Sequence, residues 1–182
     1  MKITSLAMVM AILPTTSFAD SARIIGQYGS WVVFAATDQM TDNTWYGART
    51  PNDGDNYVQV SCEWQRLANL NVSFNTKEFL GDGFRDAVYR VDSKAAHTIT
   101  GSYSAHHVFS LCDGACKGDG QSHPEVTWAA TTKEGTNLLV RLKTYRNEDV
   151  NLSFRTDGAG EAFKQVLAGC AKLAADKKNR KP

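Results

Sequence analysis

Apolar and polar residues alternate through most of this chain, and a period of two marks strands with one buried face. Val58, Val60, Cys62 and Trp64 fall on one side of a segment from Tyr57 to Gln65, while Gln59, Ser61 and Glu63 fall on the other. Leu70, Val72 and Phe74 alternate with Asn71, Ser73 and Asn75 in the same way, and Tyr89 and Val91 oppose Arg90 within Asp86 to Val91. Trp31 to Ala35 follows a Gly29-Ser30 turn and reads as a well-buried strand. Thr44 to Arg49 is an aromatic candidate. Ile99 to Tyr103 and His106 to Leu111 follow, joined by the short Ser104-Ala105 link. Asn137 to Tyr145 and Val150 to Arg155 are separated by Asn147-Glu148-Asp149, which predicts a hairpin turn.

The pattern changes after Asp157-Gly158. Phe163, Val166, Leu167, Cys170 and Leu173 recur at the spacing of one helical face, with Lys164, Gln165 and Lys172 off that stripe. Many short strands and one terminal helix predict a mainly β fold, an antiparallel β-sandwich with a C-terminal α-helix packed on it. The segments Pro51 to Asp55, Gly81 to Gly83 and Asp113 to Pro124 are rich in turn formers and read as surface loops. With no repeat, low-complexity stretch or linker, residues 20–182 read as a single domain.

The first nineteen residues have another character. Lys2, an apolar run from Ile3 to Leu13, Pro14 and Ser17-Phe18-Ala19 before Asp20 match a cleavable secretory leader. The run is shorter than the roughly 20 residues a bilayer span takes, and no Cys follows it to carry a lipid anchor. Its removal leaves 163 residues carrying 19 basic and 19 acidic side chains, since Lys2 is the leader's one charge. A neutral chain has no general electrostatic pull toward nucleic acid or an anionic membrane. The one basic run, Lys177 to Lys181, reads as a solvated helix end. The expected location is the periplasm or the exterior.

Four cysteines, Cys62, Cys112, Cys116 and Cys170, lie after the leader, and an even count in an exported domain points to two disulfides. Three pairings exist. Asp113-Gly114-Ala115 is a turn-forming spacer that favours a local Cys112–Cys116 clasp, leaving Cys62–Cys170 as a bridge across more than a hundred residues. Loop-closure entropy assigns such a bridge roughly 4–5 kcal/mol.

The sharpest candidate chemistry is His106, His107, Cys112, Cys116 and His123. Two thiolates and two imidazoles, such as His106, Cys112, Cys116 and His123, could hold zinc tetrahedrally. However, Cys-x3-Cys-x6-His matches no common zinc module, and adjacent histidines on a strand face opposite ways. The thiols are expected in the disulfide and no cofactor is expected. Asn52 to Asn56 and Gly118-Asp119-Gly120 resemble parts of calcium loops but lack the run of oxygen ligands, and read as turns. No Gly-x-Ser-x-Gly elbow and no His-Glu-x-x-His helix is present. Asp92, Asp113, Glu125 and Glu148 each sit beside turn signals and do not form an acid–base pair in sequence. Trp31, Trp45, Trp64 and Trp128 are expected in the core before a ligand groove.

Taken in order, several segments resemble the exported accessory protein of type VI secretion clusters, the VasI/TagO family. They are Gly29-Ser30-Trp31-Val32-Val33, Asp38-Gln39-Met40-Thr41-Asp42, Val58-Gln59-Val60-Ser61-Cys62, Tyr89-Arg90-Val91-Asp92 and Leu138-Leu139-Val140-Arg141. A closing helix with Gly158, Ala162, Phe163 and Cys170 completes the series. The resemblance implies a periplasmic β-rich protein with an accessory or interaction role and no catalytic centre, and it implies a Cys62–Cys170 bridge. The chain departs from the family pattern at Ser61, where Arg is common, in its Cys112/Cys116 loop, and in its lysine-rich tail. Small invasion-associated periplasmic proteins are similar in size and cysteine usage.

The sequence thus predicts a non-enzymatic exported protein that binds a protein or envelope component. Two alternatives belong to other classes. One is a periplasmic metal-binding protein or hydrolase using His106, His107 and His123. The other is an inhibitor presenting the Cys112–Cys116 loop, whose clasp would lower the ordering cost of binding.

Overall fold

The computed structural model describes residues 22–51, 55–63, 71–104, 106–111, 128–129 and 132–179. The alternating segments become ten strands: β1 (Arg23–Tyr28), β2 (Trp31–Thr37), β3 (Thr44–Pro51), β4 (Tyr57–Glu63) and β5 (Asn71–Asn75), then β6 (Gly83–Val91), β7 (His97–Ser104), β8 (Val108–Leu111), β9 (Asn137–Lys143) and β10 (Asp149–Arg155). One helix, α1 (Ala159–Asn179), follows. The strands form a single antiparallel sheet in the order β1-β2-β3-β4-β5-β8-β7-β6-β9-β10.

The two layers of the expected sandwich are therefore one continuous ladder that curls over. Its ends meet: Ser30 N donates to Asp157 O (3.1 Å), Ser30 Oγ to Asp157 Oδ1 (2.7 Å), and Thr50 Oγ1 to Arg155 O (3.0 Å). Curling turns one face of nearly every strand inward. Val60, Phe74, Tyr89, Val140 and Leu152, from five different strands, share one core.

Helix α1 packs inside this curl against β1 to β4. Phe163 meets Trp31 edge-on at 4.9 Å between ring centroids, and Cys170 bonds Cys62 with a Cα–Cα distance of 5.9 Å. The long-range bridge is thus present, while Cys112 and Cys116 lie outside the described residues. Leu167, expected on the buried stripe, is half exposed; the buried arc is turned toward Ala162, Val166 and Gly169. Gly169 explains the turn. A Cβ there would come within 2.3 Å of the Tyr46 ring, so only glycine lets helix and sheet approach so closely.

One strand was not expected, and two local expectations change. β1 was not legible, because its adjacent Ile24 and Ile25 are both exposed and a bulge between Ile24 and Gly26 breaks the period. The β9–β10 turn is tightened by Thr144, not Asn147 alone: Thr144 N donates to Glu148 O and Thr144 Oγ1 accepts from Glu148 N, which places Tyr145 and Arg146 at the tip. Strand β8 begins at Val108, so His106 and His107 occupy the β7–β8 turn, with His106 at φ 63°. Trp31 and Trp128 are core residues as expected, and Trp45 is partly buried edge-on to Phe34 at 5.0 Å. Trp64, the Asp53 and Gly118–Gly120 loops, Asp113, Glu125 and the leader at 1–19 lie outside the described residues. No described helix is long and apolar enough to cross a membrane.

Candidate functional site

The histidines singled out in the sequence lead to a surface platform built by three connections. The first is the segment from Thr76 to Asp82, between β5 and β6. Leu80 is fully buried and anchors it, so its neighbour Phe79 is forced outward, 44% exposed. Thr76 N and Leu80 N donate to His107 O (3.0 Å) and His106 O (2.6 Å), pinning this segment to the β7–β8 turn. Gly81, at φ 90°, brings the backbone so close to the β9–β10 tip that a Cβ would lie 2.9 Å from Tyr145 Cβ.

On this frame the aromatic rings gather around Phe79. His106 stacks on it at 5.0 Å between centroids, while His107 and Tyr145 meet it edge-on at 6.0 and 5.3 Å. The two histidines therefore flank one phenyl ring and do not face opposite ways; the turn's left-handed backbone at His106 replaces the strand pleat that would have separated them. Arg146 lies 5.1 Å above the Tyr145 ring, within cation–π range.

Each imidazole is fixed through Nδ1. His106 Nδ1 lies 3.2 Å from Asp82 Oδ1, an ion pair when the ring is protonated, and His107 Nδ1 lies 2.9 Å from Glu78 O. Both contacts leave Nε2 facing away from its partner. Among the described residues no serine, threonine or cysteine hydrogen-bonds either ring. Nor do any three His, Cys, Asp or Glu side chains there form a group that could hold a metal. Of the zinc set, only His106 is described; Cys112, Cys116 and His123 lie outside the described residues. Of the acids, Asp92 accepts from Thr136 Oγ1 (2.8 Å) and Asn137 N (2.9 Å), which hold its carboxyl below the usual carboxylate range. That acid shapes the β6–β7 and β9 loops and is not part of the platform.

Chemically, the platform offers a phenyl, a phenol, two imidazoles and a guanidinium on a backbone held by hydrogen bonds. Aromatic and arginine side chains of this kind anchor protein interfaces, and a pre-ordered frame lowers the ordering cost of binding. Phe79, Tyr145 and Arg146 were missed in the sequence. The available signal was Phe79-Leu80 itself: two adjacent large apolar residues cannot both point into one core.

Among solved structures, the chain is similar to invasion associated protein B from Bartonella henselae, with a TM-score of 0.46 and 14% identity over 79% of this chain and 95% of that one. No family model matches the chain, and no curated protein matches it.

Proposed function

We propose that this chain is an exported, non-enzymatic periplasmic binding protein that engages a protein or envelope partner through the Phe79–Tyr145 platform. The observation that carries this reading is the convergence of three separate connections on one exposed aromatic group, held by the Leu80 anchor and the backbone bonds to His106 and His107. Export is supported by the Cys62–Cys170 disulfide, since such bonds persist in oxidising compartments, together with the leader-like residues 1–19. An accessory role beside a type VI secretion apparatus rests on the ordered sequence segments alone.

The test is the intact mass of the full chain after expression in a Gram-negative host, before and after reduction, on separated cell fractions. The reading expects a periplasmic chain lacking residues 1–19 that gains protons on reduction. A cytoplasmic chain that keeps the leader and has free Cys62 and Cys170 thiols overturns it. Bound zinc in the same sample would move the metal-binding alternative forward.

A further inference from the structure

A second surface lies on the outer face of β6, β9 and β10, and it shares no residue with the aromatic platform. The register sets Val88 opposite Arg141 and Arg90 opposite Leu139, while Arg141 also stands opposite Asn151 on β10. These side chains alternate with the buried Tyr89 and Val140, so all of them face outward, and Val88 and Leu139 are exposed aliphatics. Together they rim a shallow groove of about 310 Å³, whose lining also includes the buried Tyr89, Val140 and Leu152 between them.

The groove carries uncompensated positive charge. Arg90 makes no ion pair or hydrogen bond among the described residues. Arg141 uses only Nε, donating to Asn151 Oδ1 at 3.0 Å and lying 3.5 Å from Asp149 Oδ2, while Asp149 is already paired with Lys143. Asp86, the acid on the same face of β6, accepts from Thr100 Oγ1 at 2.7 Å on the side away from Arg141. The planar fork of each guanidinium is thus open to a carboxylate.

We propose that this groove binds an acidic segment of another protein in extended conformation, with carboxylates at alternate positions and an aliphatic residue two further on. Charge complementarity selects the acids, and Val88 and Leu139 select the aliphatic residue. Spacing selects the extended form. Arg90 and Arg141 occupy diagonal cross-strand positions, roughly 7–8 Å apart, and alternate side chains of a strand lie about 6.7 Å apart on one face. An open face of this kind buries little of a small molecule, whereas sites for small ligands bury most of theirs. A protein segment supplies the missing contact area.

Fluorescence anisotropy on the chain without residues 1–19 tests this, with labelled peptides Ser-Glu-Ser-Glu-Ser-Leu and Ser-Gln-Ser-Gln-Ser-Leu as probes. The glutamate peptide should bind about tenfold more tightly, and raising salt from about 50 to about 500 mM should weaken it. Arg90→Gln, at an exposed side chain without a partner among the described residues, should weaken the glutamate peptide about fivefold and leave the glutamine peptide and the thermal midpoint unchanged. Arg90→Gln with Arg141→Gln should erase the difference between the peptides. Equal binding of the two peptides, no binding of either, or no effect of Arg90→Gln overturns the proposal. So does Arg90-dependent binding to phosphatidylglycerol vesicles without peptide binding, which would assign the groove to a lipid surface.

Discussion

Replacing Cys62 and Cys170 together by alanine removes the disulfide between helix α1 and the sheet, and its cost can be worked from the separation along the chain. The bridge spans 108 residues, and loop-closure entropy for that length corresponds to about 5 kcal/mol at 25 °C. Both cysteines are buried, so the loss of sulfur contacts adds to that figure. Domains of this size are stable by about 5–15 kcal/mol in total, so the substitution consumes a large share of the whole. For a chain of 182 residues, each kcal/mol moves the midpoint by about 2–4 °C, which places the expected drop at about 10–20 °C. Urea unfolding followed by tryptophan fluorescence is the assay, because Trp31 packs on Phe163 of α1 and reports the helix directly. The dependence of stability on urea should also steepen, since the untied denatured chain exposes more surface. Replacing Cys112 and Cys116 by alanine is the comparison: a disulfide between them, expected from the sequence alone, would close only five residues and be worth about 2 kcal/mol by the same relation. A loss under about 1 kcal/mol for the Cys62 and Cys170 pair, with unchanged urea dependence, would refute the loop-closure reasoning.

Other perturbations follow from single contacts. Tyr103 is buried, and its hydroxyl donates to Lys143 O (2.6 Å) and accepts from Lys143 N (3.0 Å); Tyr103→Phe leaves both backbone groups unpaired and should cost about 1–3 kcal/mol in urea unfolding. Gly169→Ala drives a methyl into the Tyr46 ring and should destabilise by about 1–3 kcal/mol, whereas Gly83→Ala meets nothing within 4 Å and any cost there comes from its φ of 92°. The Ser30 hydroxyl, and after it the Arg155 guanidinium, holds the Asp157 carboxyl below the usual carboxylate range. A carboxyl depressed in the fold contributes stability that is present above its unfolded pKa, about 3.9, and is lost as pH falls through the folded value. The thermal midpoint should therefore fall below about pH 4, and less steeply in Asp157→Asn.

Strand content was legible wherever one face is dry and the other wet. Val58, Val60 and Cys62 are buried as their alternation required, and Tyr89 and Val91 oppose Arg90 as expected. Legibility failed where burial did not follow period two. β1 offers two adjacent exposed isoleucines and a bulge, and Phe34 is buried on the face opposite Trp31 and Val33 because it lies over Gly47. That the two layers are one curled sheet depends on contacts such as Thr50 with Arg155, which are set by distant strands and leave no local mark. The segments that carry the family resemblance place Trp31, Val60, Val140 and Phe163 in the core, so they speak for the fold more than for a partner. The aromatic platform was half visible: His106 and His107 drew notice as titratable groups, but their common partner Phe79 comes from a loop between other strands.

The most direct test of the proposed binding role is site-specific photocross-linking in an expressing Gram-negative host, with a photoreactive residue in place of Tyr145 and, separately, in place of the exposed Lys133. The account predicts a discrete adduct from position 145 that is absent from position 133 and is lost when Phe79→Ala is added to the same chain, with the thermal midpoint unchanged. No adduct from position 145, or equal adducts from both positions that survive Phe79→Ala, would contradict it.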